Sequence, residues 1–207
     1  MKRPTVRERL RQEGEPTTPR QSASLILVRD GDRGLELLLV QRNPVQRFMG
    51  GFWVFPGGAV DTGEDHRAAA VRELAEEAGV TNVEPEALVE YSRWITPELI
   101  EIRFDTRFFL ARAAAGVRPR VDGQECVDVR WTTPRAALEA YAREELALVF
   151  PTLRHLEELS AFATAGALLE HGRERMSAEI VAVLPRIVLG GDEPRVLLPG
   201  EPGYDDI

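Results

Sequence analysis

Cysteine, lysine and long apolar runs are all scarce in this chain of 207 residues. The one cysteine, Cys126, cannot form a disulfide within the chain. No apolar run approaches the roughly 18 residues that a membrane-spanning helix needs, and residues 1–16 lack the apolar core of a secretory signal. We therefore expect a protein of a reducing compartment, the cytoplasm, that has no membrane partner.

Positive charge is scarce as well. Acidic residues outnumber lysine and arginine by 34 to 26, which gives a net charge of −8 and an isoelectric point near 5.1. Sequence-independent binding to nucleic acid comes from clustered Lys and Arg, so we expect no nucleic-acid partner. An acidic protein that handles phosphate groups typically recruits metal ions to do so.

Hydrophobic residues make up 43% of the chain, an ordinary share for a globular protein with one core. Residues 1–21 are charged, polar and proline-bearing, and we predict a flexible N-terminal tail there. The domain is predicted to span residues 22–190 and to include helices near its C-terminal end. Residues 191–207 are punctuated by proline and glycine and are predicted to form a C-terminal extension.

Short apolar runs alternate with helical segments along the domain, which predicts an α/β (α+β) fold with a mixed sheet. The runs at 24–28 and 35–41 flank the turn-rich DGDRG and predict a β hairpin. Residues 65–78 contain no Gly or Pro and precede Gly79, a residue suited to a left-handed helix end. The other predicted elements are a brief strand at WVF, strands at 87–94, 102–111 and 126–131, a helix opened by TTPRAAL, and one long helix from Pro151 through Glu170.

The clearest chemical signal is RELAEEAGV at residues 72–80, which holds three glutamates directly before a glycine. On a helix, Glu73, Glu76 and Glu77 gather on one side, opposite an apolar stripe that includes Leu74. Like charges at these spacings repel by about 0.2–0.5 kcal/mol per pair, so the arrangement needs either water or a cation. Taken alone, the pattern is typical of a solvated surface helix.

The segment GAVDTGEDHRAAAVRELAEEAGV, residues 58–80, resembles the Nudix box at nine defined positions. Those positions are Gly58, Glu64, Arg72, Glu73, Leu74, Glu76, Glu77, Gly79 and Val80. Average residue usage gives such a match a chance probability on the order of 10⁻⁷ or less. The chain is therefore similar to the Nudix hydrolases, and the cation becomes the favoured explanation for the glutamates.

The resemblance implies a Nudix-type αβα sandwich with added C-terminal helices, and an enzyme that cleaves a nucleoside diphosphate linked to another moiety. It implies Mg²⁺ or Mn²⁺ as the cofactor, because the adjacent charges of a pyrophosphate need hard cations, which bind carboxylate oxygens. Glu64 and Arg72 are the implied supporting pair, and Glu73 is either a metal ligand or a residue that positions the attacking water. The implied metal-binding set is the backbone carbonyl of Gly58 with Glu73, Glu76 and Glu77.

Residues outside the box complete the implied site. Family members often use one more carboxylate on a later strand or loop as a base or ligand, and Glu125, in DGQECVDVRW, is the candidate. NPVQRFMGGFWVFPGG upstream and RFDTRFFLA downstream are similar to the acyl-coenzyme A diphosphatase branch, in particular its peroxisomal-type member. That branch implies coenzyme A or acyl-coenzyme A as the substrate, with Arg42, Arg47 and Trp53 as substrate-binding candidates.

Two alternatives stay open. The better-known coenzyme A signature has a His-x-Gly-Gln element where this chain has FMGGFW, so a pyrophosphatase for an ADP-sugar or a dinucleotide is the alternative enzyme. A non-catalytic Nudix-fold ligand sensor is the alternative from another class, and the intact glutamates argue against it. The expected partner is a small-molecule nucleotide conjugate, and a homodimer is also compatible with the sequence.

Overall fold

The computed structural model describes residues 10–11, 14–46, 48–176, 178–189 and 194–206. Within them the chain forms ten β strands and four α helices. The helices are α1 (His66–Ala78), α2 (Pro134–Ala142), α3 (Phe150–Leu159) and α4 (Ala165–Met176). The strands are β1 (Arg20–Gly31), β2 (Gly34–Arg42), β3 (Trp53–Val54), β4 (Gly57–Ala59), β5 (Val89–Ile95), β6 (Phe104–Arg112), β7 (Cys126–Thr132), β8 (Ala182–Val183), β9 (Arg186–Val188) and β10 (Arg195–Leu197).

Eight of the strands form one mixed sheet in the order β3-β2-β1-β6-β5-β8, with β4 beside β1 and β7 beside β2. β1 and β2 form the predicted hairpin, in which Val28 lies opposite Leu37 and Gly31 opposite Gly34. β1 is parallel to β6 and antiparallel to β2 and β4. The N-terminal half of β1 is therefore held between β4 on one side and β6 on the other.

Helices cover both faces of the sheet, and the alternation of side chains along β1 provides an apolar surface for each. Leu25 and Leu27 pack on the face of α1, in one cluster with Leu74. Ile26 packs on the opposite face, in a second cluster with residues of α2, α3 and α4 such as Leu156. The fold is the expected αβα sandwich, and the C-terminal helices form one of its outer layers.

α1 coincides with the predicted helix because both of its end signals are local. Asp65 is the N-cap, and its carboxylate accepts a hydrogen bond from the backbone N–H of Ala68 at 2.8 Å. Gly79 ends the helix with φ 64°, a left-handed conformation that glycine adopts at little cost. None of the helices in the described part of the chain combines the length and the apolar character needed to span a membrane.

The single long helix predicted from Pro151 through Glu170 is wrong, because the structure has α3 and α4 there. Ser160 follows the last residue of α3, and its hydroxyl donates to the Glu157 carbonyl at 2.7 Å, a local bond that competes with continuation of the helix. Thr164 then accepts from the backbone N–H of Ala167 at 3.2 Å and opens α4. Two hydroxyl side chains thus account for the break.

Both predicted extensions contribute to the folded unit. β1 begins at Arg20, inside the predicted tail of residues 1–21, and the Arg103 guanidinium donates to the Thr17 carbonyl at 2.7 Å. At the other end, β9 and β10 pair antiparallel across the predicted boundary between residues 190 and 191. β8 adds to the sheet beside β5, so the C-terminal strands start before that boundary.

A buried histidine joins α3 to the sheet. His155 is 1% exposed, and its Nδ1 and Nε2 atoms each lie 2.7 Å from a partner, the Pro151 carbonyl and the Ser92 hydroxyl respectively. A carbonyl can only accept, so Nδ1 donates to it and Nε2 accepts from Ser92. Burial lowers the pKa of His155 to about 4, and the imidazole is therefore neutral at neutral pH.

We predict that His155 makes the fold less stable in acid. Its pKa is lower in the folded protein than its ordinary value of 6.5, so the unfolded chain takes up the proton first and stability is lost as the pH falls from about 6.5 to about 4. Between pH 7 and pH 5 the loss due to His155 is about 2 kcal/mol. Urea unfolding at the two pH values measures this loss in the free energy of unfolding, and the His155→Gln variant should not show it. His171→Gln, on α4, is the control, and equal pH dependence in wild type and His155→Gln contradicts the prediction.

Candidate active site

The three glutamates of α1 differ in burial. Glu73 and Glu77 are buried, at 8% and 1% exposure, whereas Glu76 is exposed. The prediction that all three lie opposite the buried side of the helix is therefore wrong for two of them. The reason is that α1 packs against β4 as well as β1, so the backbone of Gly57–Ala59 lies over the glutamate side of the helix.

Glu77 is the most enclosed of the three carboxylates. Its Oε2 accepts from the backbone N–H of Gly57 at 3.0 Å, and its Oε1 accepts from Nη1 of Arg42 at 3.3 Å. Burial raises the pKa of Glu77 to about 7, and the bonds from Gly57 and Arg42 only partly oppose that rise. The carboxylate thus lies in a position where additional positive charge would stabilise its ionised form.

Arg72 joins the remaining acidic residues of the box. Its guanidinium meets the Glu64 carboxylate through two bonds, Nε to Oε1 at 3.1 Å and Nη2 to Oε2 at 3.0 Å. Nη1 donates to Glu73 at 2.8 Å and to Glu76 at 3.0 Å, and Nη2 also donates to the Ala59 carbonyl. This forked geometry is specific to arginine. Its bonds lower the pKa of Glu64, whereas burial raises the pKa of Glu73.

Glu73 and Glu77 open onto a cavity of about 640 Å³, whereas Glu76 is not among its lining residues. Glu73, Glu77 and the backbone of Gly57–Ala59 form one end of it, and the remaining wall is mostly apolar. Ser22 and Ser24 of β1, which pair with Ala59 and Gly57, also line the cavity. The cavity therefore combines an acidic end with an apolar body.

Glu125 reaches the same cavity from the turn before β7. Its backbone N–H donates to the Asp122 carboxylate at 3.1 Å, which fixes the turn. Its negative charge adds to burial in raising the pKa of Glu73. The structure thus brings Glu125, predicted from outside the box, to the same end of the cavity as Glu73 and Glu77.

The substrate-binding predictions need correction. Trp53 is 3% exposed, packs in the core on the α2–α4 side and lies under the Arg130 guanidinium, 3.9 Å from its ring centroid. Phe52 lines the cavity instead, because consecutive residues of an extended chain face opposite sides. Arg42 lines the cavity but is paired with Glu77. Arg47 lies outside the described residues.

The sequence interpretation missed the wall that β1 contributes. Ser22 and Ser24 are 7% and 6% exposed, and Arg20 beside them had been assigned to the tail. Two small polar residues at alternate positions of an otherwise apolar strand were the available signal. Such a pair indicates a strand face that is buried without being part of the apolar core.

The oxygen donors of this site fit a hard divalent cation. As the side chains stand, no three or more His, Cys, Asp or Glu of the described residues are close enough to hold a metal, since Arg72 and Arg42 occupy the carboxylates. Carboxylates are nevertheless the ligands that Mg²⁺ and Mn²⁺ prefer. Gly58 also leaves the approach to Glu73 clear, because a Cβ there would lie 2.3 Å from Oε1 of Glu73.

The comparison with known families agrees with this geometry. Residues 18–153, more than half of the chain, match the NUDIX domain. The chain belongs to the Nudix hydrolase family, whose members act on phosphoric anhydride bonds and generally use divalent metal ions.

Individual relatives differ in what they act on. The chain is 25% identical to the human acyl-coenzyme A diphosphatase over 306 aligned positions, covering 91% of this chain and 81% of that enzyme. It is 38% identical to the Escherichia coli CTP pyrophosphohydrolase over 77 residues, covering 37% of this chain and 53% of that enzyme. The crystal structure of a NUDIX hydrolase from Alicyclobacillus acidocaldarius matches with TM-score 0.67 and 28% identity, covering 80% of this chain and 98% of that one.

Replacing each of two neighbouring glycines by alanine is predicted to have a different effect, a loss of stability at Gly57 and a loss of turnover at Gly58. A Cβ at Gly57 would lie 2.5 Å from the Ala23 carbonyl oxygen and 2.7 Å from the Ser24 Cα, both backbone atoms, so Gly57→Ala should lower the stability of the fold. The atoms nearest to a Cβ at Gly58 belong to the Glu73 carboxylate, the end of a flexible side chain, so Gly58→Ala should displace that side chain and lower turnover while costing less stability. Thermal unfolding and hydrolysis assays of the two variants test this, with Gly116→Ala, an open position at positive φ, as the comparison. Equal losses of stability in both would contradict it.

Proposed function

We propose that this enzyme hydrolyses the pyrophosphate linkage of coenzyme A or of an acyl thioester of it. The observation that carries the proposal is the two-part cavity, in which carboxylates form one end and mostly apolar residues the rest. Coenzyme A has the matching composition, a pyrophosphate joined to a long uncharged arm. The similarity to the human acyl-coenzyme A diphosphatase over 91% of this chain supports the same substrate.

The proposed cofactor is Mg²⁺ or Mn²⁺, held by Glu73, Glu76, Glu77 and the carbonyl of Gly58. When bound, the cation neutralises charge on the phosphate oxygens so that water can approach phosphorus. Arg72 keeps Glu73 and Glu76 oriented through bonds of 2.8 and 3.0 Å. The N–H of Gly57 holds Glu77 in the same way.

Glu125 is the proposed general base. It lines the cavity beside Glu73 and is exposed, so its carboxylate is available to take a proton from water. The water oxygen forms a bond to one phosphorus atom, the bridging P–O bond breaks, and the departing phosphate keeps the bonding electron pair. The products are adenosine 3′,5′-bisphosphate and phosphopantetheine, the latter acylated when the substrate is.

Glutamine substitutions are predicted to distinguish the residue that acts as the general base from a residue that binds the metal. Glu77→Gln keeps size but removes charge, so Mn²⁺ binding should weaken at least about tenfold and turnover should fall with it. Glu125→Gln should leave Mn²⁺ binding near wild type and lower kcat by roughly 10²- to 10⁴-fold, the usual contribution of a general base. Mn²⁺ binding is measured by electron paramagnetic resonance, apart from turnover.

The exposed Glu86, outside the cavity, provides the control Glu86→Gln. A wild-type kcat in Glu125→Gln would refute the assignment of Glu125 as the general base. A wild-type Mn²⁺ affinity in Glu77→Gln would refute the assignment of Glu77 as a metal ligand.

In a panel of substrates, the enzyme is predicted to prefer coenzyme A to 3′-dephospho-coenzyme A. Arg20 and Arg42 line the described cavity, and Arg47 remains a predicted contact. One charged hydrogen bond from any of them to the 3′-phosphate favours coenzyme A over 3′-dephospho-coenzyme A by about ten- to a hundredfold in kcat/KM. Product masses under matched metal and pH identify the bond that is cleaved. Equal rates for both, or a preference for an ADP-sugar or a dinucleotide, would overturn the coenzyme A assignment and leave the family activity intact.

A further inference from the structure

The C-terminal strands line the cavity near the edge of the sheet that lies farthest from β4, because only two residues separate β9 from β8, the edge strand beside β5. Ile187 of β9 and Val196 of β10 line it there. The two residues lie directly opposite each other in the antiparallel pair, so their side chains share one face. The described lining residues from β5, the first turn of α3 and the β9–β10 pair are all uncharged, among them Trp94 and Phe150. The described lining at this end therefore offers no charged side chain to a phosphate, and its mostly apolar side chains suit an apolar group.

The β9–β10 wall is anchored to the chain that follows it. Nη1 of Arg186 donates to the Tyr204 carbonyl at 2.7 Å, and the Arg186 guanidinium lies 4.5 Å from the centroid of the Tyr204 ring. The Tyr204 hydroxyl donates to the Leu184 carbonyl at 2.7 Å. These contacts tie Leu184 and Arg186, which precede Ile187, to Tyr204, and the pairing with β10 holds Ile187 itself.

The distance between the two ends of the cavity follows from the sheet. At the level of Ser22 the strands run in the order β4, β1, β6, β5 and β8. Adjacent strands are about 4.8 Å apart, so four spacings separate β4 from β8 by about 19 Å. A substrate whose pyrophosphate lies at β4 must extend over that distance to reach β9 and β10.

The phosphopantetheine arm has nearly this length. From phosphorus to sulfur it contains roughly 13 bonds, and an extended chain advances about 1.2 Å per bond, which gives about 16 Å. The sulfur therefore comes to lie near β5, and the acyl group attached to it lies against the C-terminal strands.

We infer that Ile187 and Val196 are specificity-determining residues that contact the acyl group of acyl-coenzyme A and limit its length. The inference rests on the proposed function. The inference goes further because it assigns the wall formed by β9 and β10 to the acyl chain. The 3′-phosphate is then assigned to the part of the cavity lined by Arg20 and Arg42.

The test compares kcat/KM for coenzyme A, acetyl-, octanoyl- and palmitoyl-coenzyme A. Ile187→Trp and Val196→Trp shorten the cavity, so the ratio of octanoyl-coenzyme A to free coenzyme A should fall by roughly ten- to 200-fold, as for excess methylenes in a closed pocket. Ile187→Ala lengthens the cavity and should raise the ratio of palmitoyl- to octanoyl-coenzyme A. Leu189→Trp makes the same change at a side chain that is 61% exposed, and it should leave every ratio unchanged.

Each outcome decides between the two assignments. Unchanged ratios in the Ile187 and Val196 variants, with coenzyme A still cleaved, would overturn the inference and leave the proposed function standing. If wild type cleaves neither coenzyme A nor its thioesters but does cleave another nucleotide conjugate, the proposed substrate fails, and the inference fails with it. Circular dichroism checks folding, and if Ile187→Trp does not fold, Ile187→Ala and Val196→Trp decide.

Discussion

The constraint on which the candidate active site depends is the burial of two carboxylates, Glu73 and Glu77, against the backbone of β4. Removing a carboxylate from water is costly unless hydrogen bonds or opposite charges replace the solvent. The replacement here comes from the N–H of Gly57 and the guanidinium of Arg42 for Glu77, and from Arg72 for Glu73. The N–H of Gly57 reaches Glu77 because β4 lies beside α1, and the absence of a side chain at Gly58 leaves room for the Glu73 carboxylate. The glycines, arginines and glutamates of the segment therefore form one interdependent structure.

The hydrogen bonds and arginine partners offset only part of the cost of burying these two carboxylates. The remaining cost links stability to function. The pKa values of Glu73 and Glu77 are raised although each carboxylate has an arginine partner. A fold selected for stability alone would not keep two acids in that state, since an apolar pair of similar size would avoid the desolvation. A site that must bind a divalent cation has to keep them. The burial is thus consistent with the divalent metal ions that members of the family generally use, and Arg72 limits what it costs the fold.

Local signals could be predicted from the sequence, and long-range packing could not. α1 was predicted to within one residue because Asp65 and Gly79 act on the turns next to them. Trp53 and Phe52 look alike in the sequence, and the pairing of Trp53 with Gln41 decides which of them packs on the α2–α4 side and which lines the cavity. A helical wheel places Glu77 on the polar side of α1 because it contains no information about β4. The place of Ile187 in the cavity wall depends in the same way on long-range packing, because β8, just before it in the chain, pairs with the distant strand β5.

The walls of the cavity differ in how freely they can change. Trp94 and Phe108 line the cavity and also belong to the core cluster beneath α2–α4, so a substitution that reshapes the cavity there also disturbs the core, at a cost of several kcal/mol for a large residue. Ile187 and Val196, in contrast, are outside both core clusters of the described residues. The spacing between the acidic end and the far end is fixed by the sheet, whose strands cannot move apart without breaking their hydrogen bonds. A change in the length of the bound group is therefore accommodated most readily at the C-terminal strands, where the cavity wall can vary without disturbing the glutamates of α1.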